Sequence, residues 1–311
     1  MKALHIETPL IKSRVLSAHL GRPVWLKLDA LQAPGSFKIR GIGLACQTYK
    51  QRGAKRFISS SGGNAGIAVA FAGAAIGVPV VVVVPQTTTE RAKALIRQQN
   101  AELIVHGESW LEANTLAQSM VAATDAFLHP FDDPLLWHGH ASLVDEIVNA
   151  KVLTGIKPAV VVLSVGGGGL LSGVVEGLRR NDWGDVPVLA VETQGADSLA
   201  QAMQARERVT LPTITSIATS LGARQVCQHA FDLVSQYQIL SAVMTDQTAV
   251  SACLKFADDH RVVVEPACGA ALATVYERLS ALDAFSSVLV VVCGVATATL
   301  GQLQAWDAGM R

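Results

Sequence analysis

The 311-residue sequence predicts an α/β fold with mainly parallel sheets and helices on both faces. Three observations carry that prediction. Short β-branched runs alternate with longer helix-like stretches along the chain. Hydrophobic residues make up 50% of the composition and charged residues 16%, the balance expected of strands buried on both faces. The run Ala159-Val160-Val161-Val162-Leu163 leads through Ser164 and Val165 into Gly166, Gly167, Gly168 and Gly169. Such a turn lets backbone N–H groups converge at a helix start and suits a small anion, most often a phosphate, although glycines also close strands for structural reasons alone. The length is generous for one core, so two lobes are expected.

Taken in order, the first strand is read at Val24–Leu28. Lys38 follows the turn Gly35-Ser36-Phe37 and opens a helix that runs to about Tyr49. The macrodipole favours lysine at the opposite helix end. A positive helix terminus and burial would together lower the pKa of Lys38 and leave a nucleophilic amine; on spacing alone a solvated lysine fits equally well. A strand at Arg56–Ser59 then enters Ser59-Ser60-Ser61-Gly62-Gly63-Asn64-Ala65-Gly66. There hydroxyls, an amide and free N–H groups converge at a helix N-terminus, which suits a carboxylate; ordinary capping is the plainer alternative.

Residues 65–85 carry no charge, which on hydropathy alone resembles a membrane span. Gly73, Gly77 and Pro79 interrupt them and Val80 to Val84 is β-branched throughout, so a helix, a tight turn and a strand at Val78–Val84 are read instead. A helix at Thr88–Gln99, a strand at Glu102–Val105 and a helix at Ser109–Ala123 follow. Phe131-Asp132-Asp133-Pro134 is the clearest break. Beyond it come a helix at Leu135–Leu153, the strand Ala159–Val165 with its glycines, strands at Val186–Glu192 and Ser287–Cys293, and a helix at Gln247–Asp259.

The 25 basic and 25 acidic residues cancel, which removes the electrostatic case for nucleic acid or an anionic membrane and favours a small-molecule partner. The N-terminus lacks signal-peptide architecture. Cys46, Cys227, Cys253, Cys268 and Cys293 are odd in number and lack CxxC spacing, which fits a reduced cytoplasm and no structural zinc. His138 and His140 lack a third ligand at useful spacing, a weak case for a metal.

An activated lysine, a phosphate cradle and a carboxylate loop together describe a pyridoxal-phosphate enzyme acting on an amino acid. The sequence resembles the two-lobed, tryptophan synthase β-like fold-type II pyridoxal-phosphate enzymes, and within them the catabolic L-serine dehydratases. The match runs from His5-Ile6-Glu7-Thr8-Pro9-Leu10 and Trp25-Leu26-Lys27-Leu28-Asp29 through the three motifs to Glu265-Pro266-Ala267-Cys268-Gly269-Ala270-Ala271 and Val292-Cys293-Gly294. The resemblance implies that Lys38 carries the cofactor, Phe37 packs beside its ring and Asn64 bonds its 3′-oxygen. It implies that Gly166, Gly167, Gly168, Gly169 and Leu170 hold the phosphate, and that Ser61, Gly62, Asn64 and Ala65 bind the substrate carboxylate. Cys293 is similar to the residue facing the pyridine nitrogen.

The same resemblance surrounds a cation with Glu192, Ala196, Ser198, Leu221 and Ala223. Where the ion is divalent a carboxylate replaces Ser198, so a hydroxyl there suits potassium. It also implies a homodimer, a smaller lobe at about 32–134 and a larger one made of 1–31 and 135–311. The implied reaction is dehydration and deamination of L-serine to pyruvate and ammonia.

Three positions depart from the family pattern: Ala33-Pro34 in a turn, Gly62 where Ala or Ser is usual, and Val295 in place of a frequent glycine. Gly62 is expected to leave room for the threonine methyl, making threonine a slower substrate, and it has no proton to give, which favours elimination over racemisation. Threonine dehydratase and serine racemase are alternatives on the same scaffold. A nucleotide-binding protein would use the glycine run differently, but its spacing is not GxGxxG. A pyridoxal-phosphate-binding protein without turnover would not need the carboxylate loop.

Overall fold

Five consecutive valines form β4 (Val80–Val84), buried on both faces at the heart of a four-stranded sheet. The computed structural model describes residues 2–150 and 157–310. In this sheet β4 lies between β5 (Glu102–Val105) and β3 (Arg56–Ser59), with β6 (Asp125–Phe127) beyond β3, and all pairings are parallel. Helices α3 (Asn64–Ile76), α4 (Glu90–Arg97) and α5 (Trp110–Ser119) make the crossovers.

The larger sheet runs β1 (Leu10–Lys12), β2 (Val24–Lys27), β10 (Val288–Val291), β7 (Val160–Ser164), β8 (Val188–Thr193), β9 (Ile239–Met244). Only β1 pairs antiparallel; the other neighbours are parallel. Around it lie α1 (Arg14–Leu20), α6 (Pro134–Asn149), α7 (Gly169–Arg180), α8 (Ser198–Ala205), α9 (Gln228–Gln236), α10 (Asp246–His260), α11 (Pro266–Tyr276) and α12 (Leu300–Met310), whereas α2 (Lys38–Gln51) buries Ile39, Ile42, Ala45 and Cys46 in the core of the small sheet and packs against α3 and α6. Among the described residues no helix is long and apolar enough to cross a membrane.

The segments 78–79, 186–187 and 292–293, read as strand, continue the chain outside the ladders. Three strands escape the sequence pattern. β1 and β6 have three residues each, too few to show a period. β9 is an edge strand whose inner residues alternate between half-buried and exposed, not a continuous apolar run. The predicted helix at Thr88–Gln99 is shorter because Thr89 caps it, its hydroxyl accepting from Ala92 N–H. The one at Ser109–Ala123 stops at Ser119, where the chain turns into β6. Asp133 caps α6 by accepting from Leu135 N–H, and Pro134 takes the first helical position. The end read at Leu153 lies outside the described residues.

Helix α2 is clamped by a buried charge network. Arg40, fully buried, donates through Nε to Asp29 Oδ2 at 2.6 Å and through Nη1 to Glu146 Oε1 at 2.5 Å. Lys27 Nζ reaches Glu146 Oε2 at 2.5 Å, and the Thr8 hydroxyl donates to Asp29 at 2.7 Å. Burial pushes the Glu146 pKa up, but Arg40 and Lys27 together hold it below the usual carboxylate range. One guanidinium thus ties α2 to α6 and to the turn after β2, two residues from Lys38.

Candidate active site

The turn before α2 is sewn to the chain beyond β10. Ser36 bridges Gly294, Phe37 N–H donates to Cys293 O at 3.0 Å, and Val295 N–H donates to Gly35 O at 2.8 Å. Lys38 and Cys293 therefore share one buried wall. Lys38 Nζ donates to Pro130 O at 2.6 Å and lies 5.2 Å from the centre of the Phe37 ring, which meets His140 edge-on at 4.9 Å. Burial lowers the Lys38 pKa to about 8, against a smaller upward pull from Cys293, Cys227 and Glu265.

Pro130 also connects the lysine to the glycine run, through Phe131. A Cβ at Gly167 would stand 2.3 Å from the Phe131 ring, and one at Gly168 2.4 Å from the Ala230 Cβ. Gly168 has φ +93°, a conformation that few other residues adopt without strain. The N–H groups of Gly166 to Leu170 find no acceptor among the described residues, at the start of α7. Leu221 backs this turn: a Cβ at Gly166 would lie 3.0 Å from the Leu221 Cα.

A second set of free donors stands at the start of α3. Gly63 is its cap and offers no side chain, and the N–H groups of Gly62, Asn64 and Ala65 have no acceptor among the described residues. Ser61 Oγ accepts from Gly63 N–H at 3.3 Å. Ser60 corrects the sequence reading, because its hydroxyl turns away and donates to Asn114 Oδ1 at 2.7 Å. A Cβ on Gly62 would lie 2.5 Å from Thr88 Oγ1, so the Thr88 side chain bounds the space beside Gly62.

Asn64 Nδ2 donates to Glu265 Oε1 at 2.7 Å, while Asn64 Oδ1 is buried without a partner. Glu265 also accepts from the Thr297 hydroxyl at 2.7 Å, and its own N–H donates to Gly294 O at 3.1 Å. Sequence reasoning assigned no role to Glu265 or Thr88; the only signal for Glu265 was its place before Pro266 at a helix start. Hydrogen bonding to Cys268 and burial both raise the Cys293 pKa well above the ordinary thiol value, so it is a neutral thiol.

These residues fit pyridoxal phosphate. An amine that loses its proton near pH 8 stands beside an aromatic ring, with unpaired N–H groups at a glycine turn that no side chain could share. The orphaned Asn64 amide oxygen marks a polar gap in the same wall.

Glu192 accepts from Leu199 and Ala200 N–H at 2.9 and 2.7 Å, yet burial still raises its pKa to about 8. Ser198 Oγ and Asp197 Oδ1 are buried nearby without partners. Ala196 N–H donates to Thr193 O, so it belongs to the same turn. Ala223 N–H donates to Leu221 O at 2.7 Å, and no hydrogen bond joins either residue to Glu192. His138 is exposed and contacts Glu176, whereas His140 is buried and accepts from Gly41 N–H. Among the described residues no three His, Cys, Asp or Glu side chains cluster as a metal site.

Residues 2–294 match the family model described as pyridoxal-phosphate dependent enzyme. The chain is 46% identical to a mouse protein named serine dehydratase-like, over 96% of this chain and 93% of that one. It is 45% identical to a human L-serine dehydratase/L-threonine deaminase, over 97% and 94%. Among solved structures, an L-serine ammonia-lyase from the fungus Rhizomucor miehei superposes with a TM-score of 0.93 at 35% identity, covering 99% of each chain.

Proposed function

Because the chain belongs to the pyridoxal-phosphate dependent enzymes, we propose that it is an L-serine ammonia-lyase, converting L-serine to pyruvate and ammonia with L-threonine as a slower substrate. Water leaves first, and the released enamine hydrolyses to the keto acid and ammonia. Bound pyridoxal phosphate supplies an electron-withdrawing ring that acidifies the substrate Cα.

The chain's own residues do the rest. Lys38 holds the cofactor and, as a neutral amine, takes the Cα proton. The N–H groups at the start of α3, with Ser61, hold the substrate carboxylate. Gly166 to Leu170 hold the phosphate, Asn64 the ring oxygen, and Phe37 packs beside the ring. Cys293, a neutral thiol, would be the residue beside the ring nitrogen; it has no charge with which to hold a proton there, which would favour loss of the β-hydroxyl over reprotonation at Cα.

The observation that carries this reading is the buried Lys38 amine, its pKa lowered to about 8, joined through Pro130 and Phe131 to the unpaired N–H groups of the glycine run. The finer parts of the proposal are potassium at Glu192, Ala196, Ser198, Leu221 and Ala223, a homodimer, a cytoplasmic setting and the two lobes bounded near residues 32 and 134. Free, buried cysteines support the reducing compartment. Steady-state assays of pyruvate from L-serine and 2-oxobutyrate from L-threonine test the activity. Pyruvate is the faster product and the residual serine stays L; accumulation of D-serine as fast as pyruvate would replace the lyase by a racemase.

A further inference from the structure

Position 62 has no side chain, and the volume one would take is occupied from another part of the chain. A Cβ built on Gly62 stands 2.5 Å from Thr88 Oγ1, 2.7 Å from its Cγ2 and 3.2 Å from its Cβ. Thr88 lies in the turn between β4 and α4, held by its N–H donating to Pro85 O at 3.1 Å, and is half-buried. Its hydroxyl meets no hydrogen-bond partner among the described residues. The next residue, Thr89, lines a pocket with Ser220, Glu265 and Thr297. Arg91 Nε donates to Ala296 O at 3.0 Å, fixing this turn to the segment after β10.

We propose that Thr88 is the specificity-determining residue that walls the substrate site where Gly62 cannot, limiting the size of the β-substituent the site accepts. This rests on the amino-acid lyase reading above. Residues 62 and 88 compete for one volume. A methyl at 62 needs Thr88 to retreat, and truncating Thr88 opens space beside the loop that receives the substrate carboxylate. The methyl of threonine is the group that would use this space, and a one-carbon difference in a pocket changes selectivity about 10- to 200-fold.

The test compares wild type, Thr88→Ala, Gly62→Ala and the double variant as holoenzymes, measuring kcat/KM for L-serine and L-threonine together with the melting temperature. Thr88→Ala raises the threonine-to-serine ratio about tenfold or more. Gly62→Ala alone lowers kcat/KM for both substrates and lowers the melting temperature; in the Thr88→Ala background the same change costs neither and returns the ratio toward wild type. An unchanged ratio in Thr88→Ala, or additive effects in the double variant, overturns the proposal. If wild type dehydrates neither amino acid, the lyase reading falls with it, whereas loss of the ratio effect in an active enzyme removes Thr88 alone.

Discussion

The Asn64 amide and the Glu265 carboxylate meet at 2.7 Å with both side chains buried. That bond joins the first residue of α3, beside the small sheet, to the cap of α11, which packs on the large sheet. The second Glu265 oxygen takes the Thr297 hydroxyl, so both carboxylate oxygens are engaged. Glu265→Ala strands the buried Asn64 amide and leaves the half-buried Thr297 N–H and hydroxyl without their acceptor, and is expected to cost about 1–3 kcal/mol, with Glu265→Gln recovering part of the loss. Urea unfolding of the cofactor-free proteins measures this; equal stability of wild type and Glu265→Ala would show that the bond contributes nothing.

Lys38→Ala is expected to remove both the borohydride-stable cofactor adduct and the lyase activity. Peptide mapping of reduced wild-type protein places the adduct on Lys38. An adduct on another lysine refutes the assignment.

The pKa of Lys38, lowered by burial to about 8, makes the cofactor-free protein more stable at alkaline pH. Between about 8 and the ordinary lysine value of about 10.4, the unfolded chain binds more protons than the folded one at this residue. The contribution is therefore present above about 10.4 and is lost as pH falls toward about 8. Denaturant unfolding at pH 8 and pH 10 reads the slope, and Lys38→Met flattens it.

Glu192 has the opposite sign. Burial raises its pKa to about 8, so its contribution is present below its unfolded value, about 4.3, and is lost as pH rises through about 8. The proposed potassium site would need the carboxylate form of Glu192, so below pH 8 its affinity is expected to fall about tenfold per pH unit. The potassium-induced rise in melting temperature, measured against tetramethylammonium at equal ionic strength, should be larger at pH 8.5 than at pH 6 and absent in Glu192→Gln. A pH-independent rise excludes Glu192 as a ligand.

Arg40→Ala leaves Asp29 buried without its guanidinium and Glu146 with only Lys27, the Thr8 N–H and the His5 ring, an expected loss of about 3–5 kcal/mol. Arg40→Lys should rescue little, since one ammonium does not reproduce the fork that engages both carboxylates. The unfolding midpoints of the two variants decide the matter.

The parallel strands were legible because burial on both faces writes a continuous apolar run, as at Val80–Val84 and Val160–Ser164. The edge strand β9, with exposed Ser241 and Val243, writes no such run and was invisible for that reason, whereas the edge strand β5 was legible from Leu103-Ile104-Val105. Site groups on one contiguous motif were likewise readable: the glycine turn and the lysine at a helix start carry their signals in local spacing. Glu265 and Thr88 were not, because each acquires its role from a distant partner, Asn64 in one case and the bare Cα of Gly62 in the other.

The large sheet places β10 between β2 and β7, so the last strand to be synthesised is a central one. While the chain emerges from the ribosome, β2 and β7 have no partner for their facing edges until residue 288 is free of the exit tunnel. Once β7 is made, the nascent polypeptide thus holds two apolar, unpaired edges until β10 follows, the condition under which chains aggregate or engage chaperones. The wall shared by Lys38 and Cys293 closes only with that insertion, so cofactor capture has to wait for β10 to take its place in the sheet.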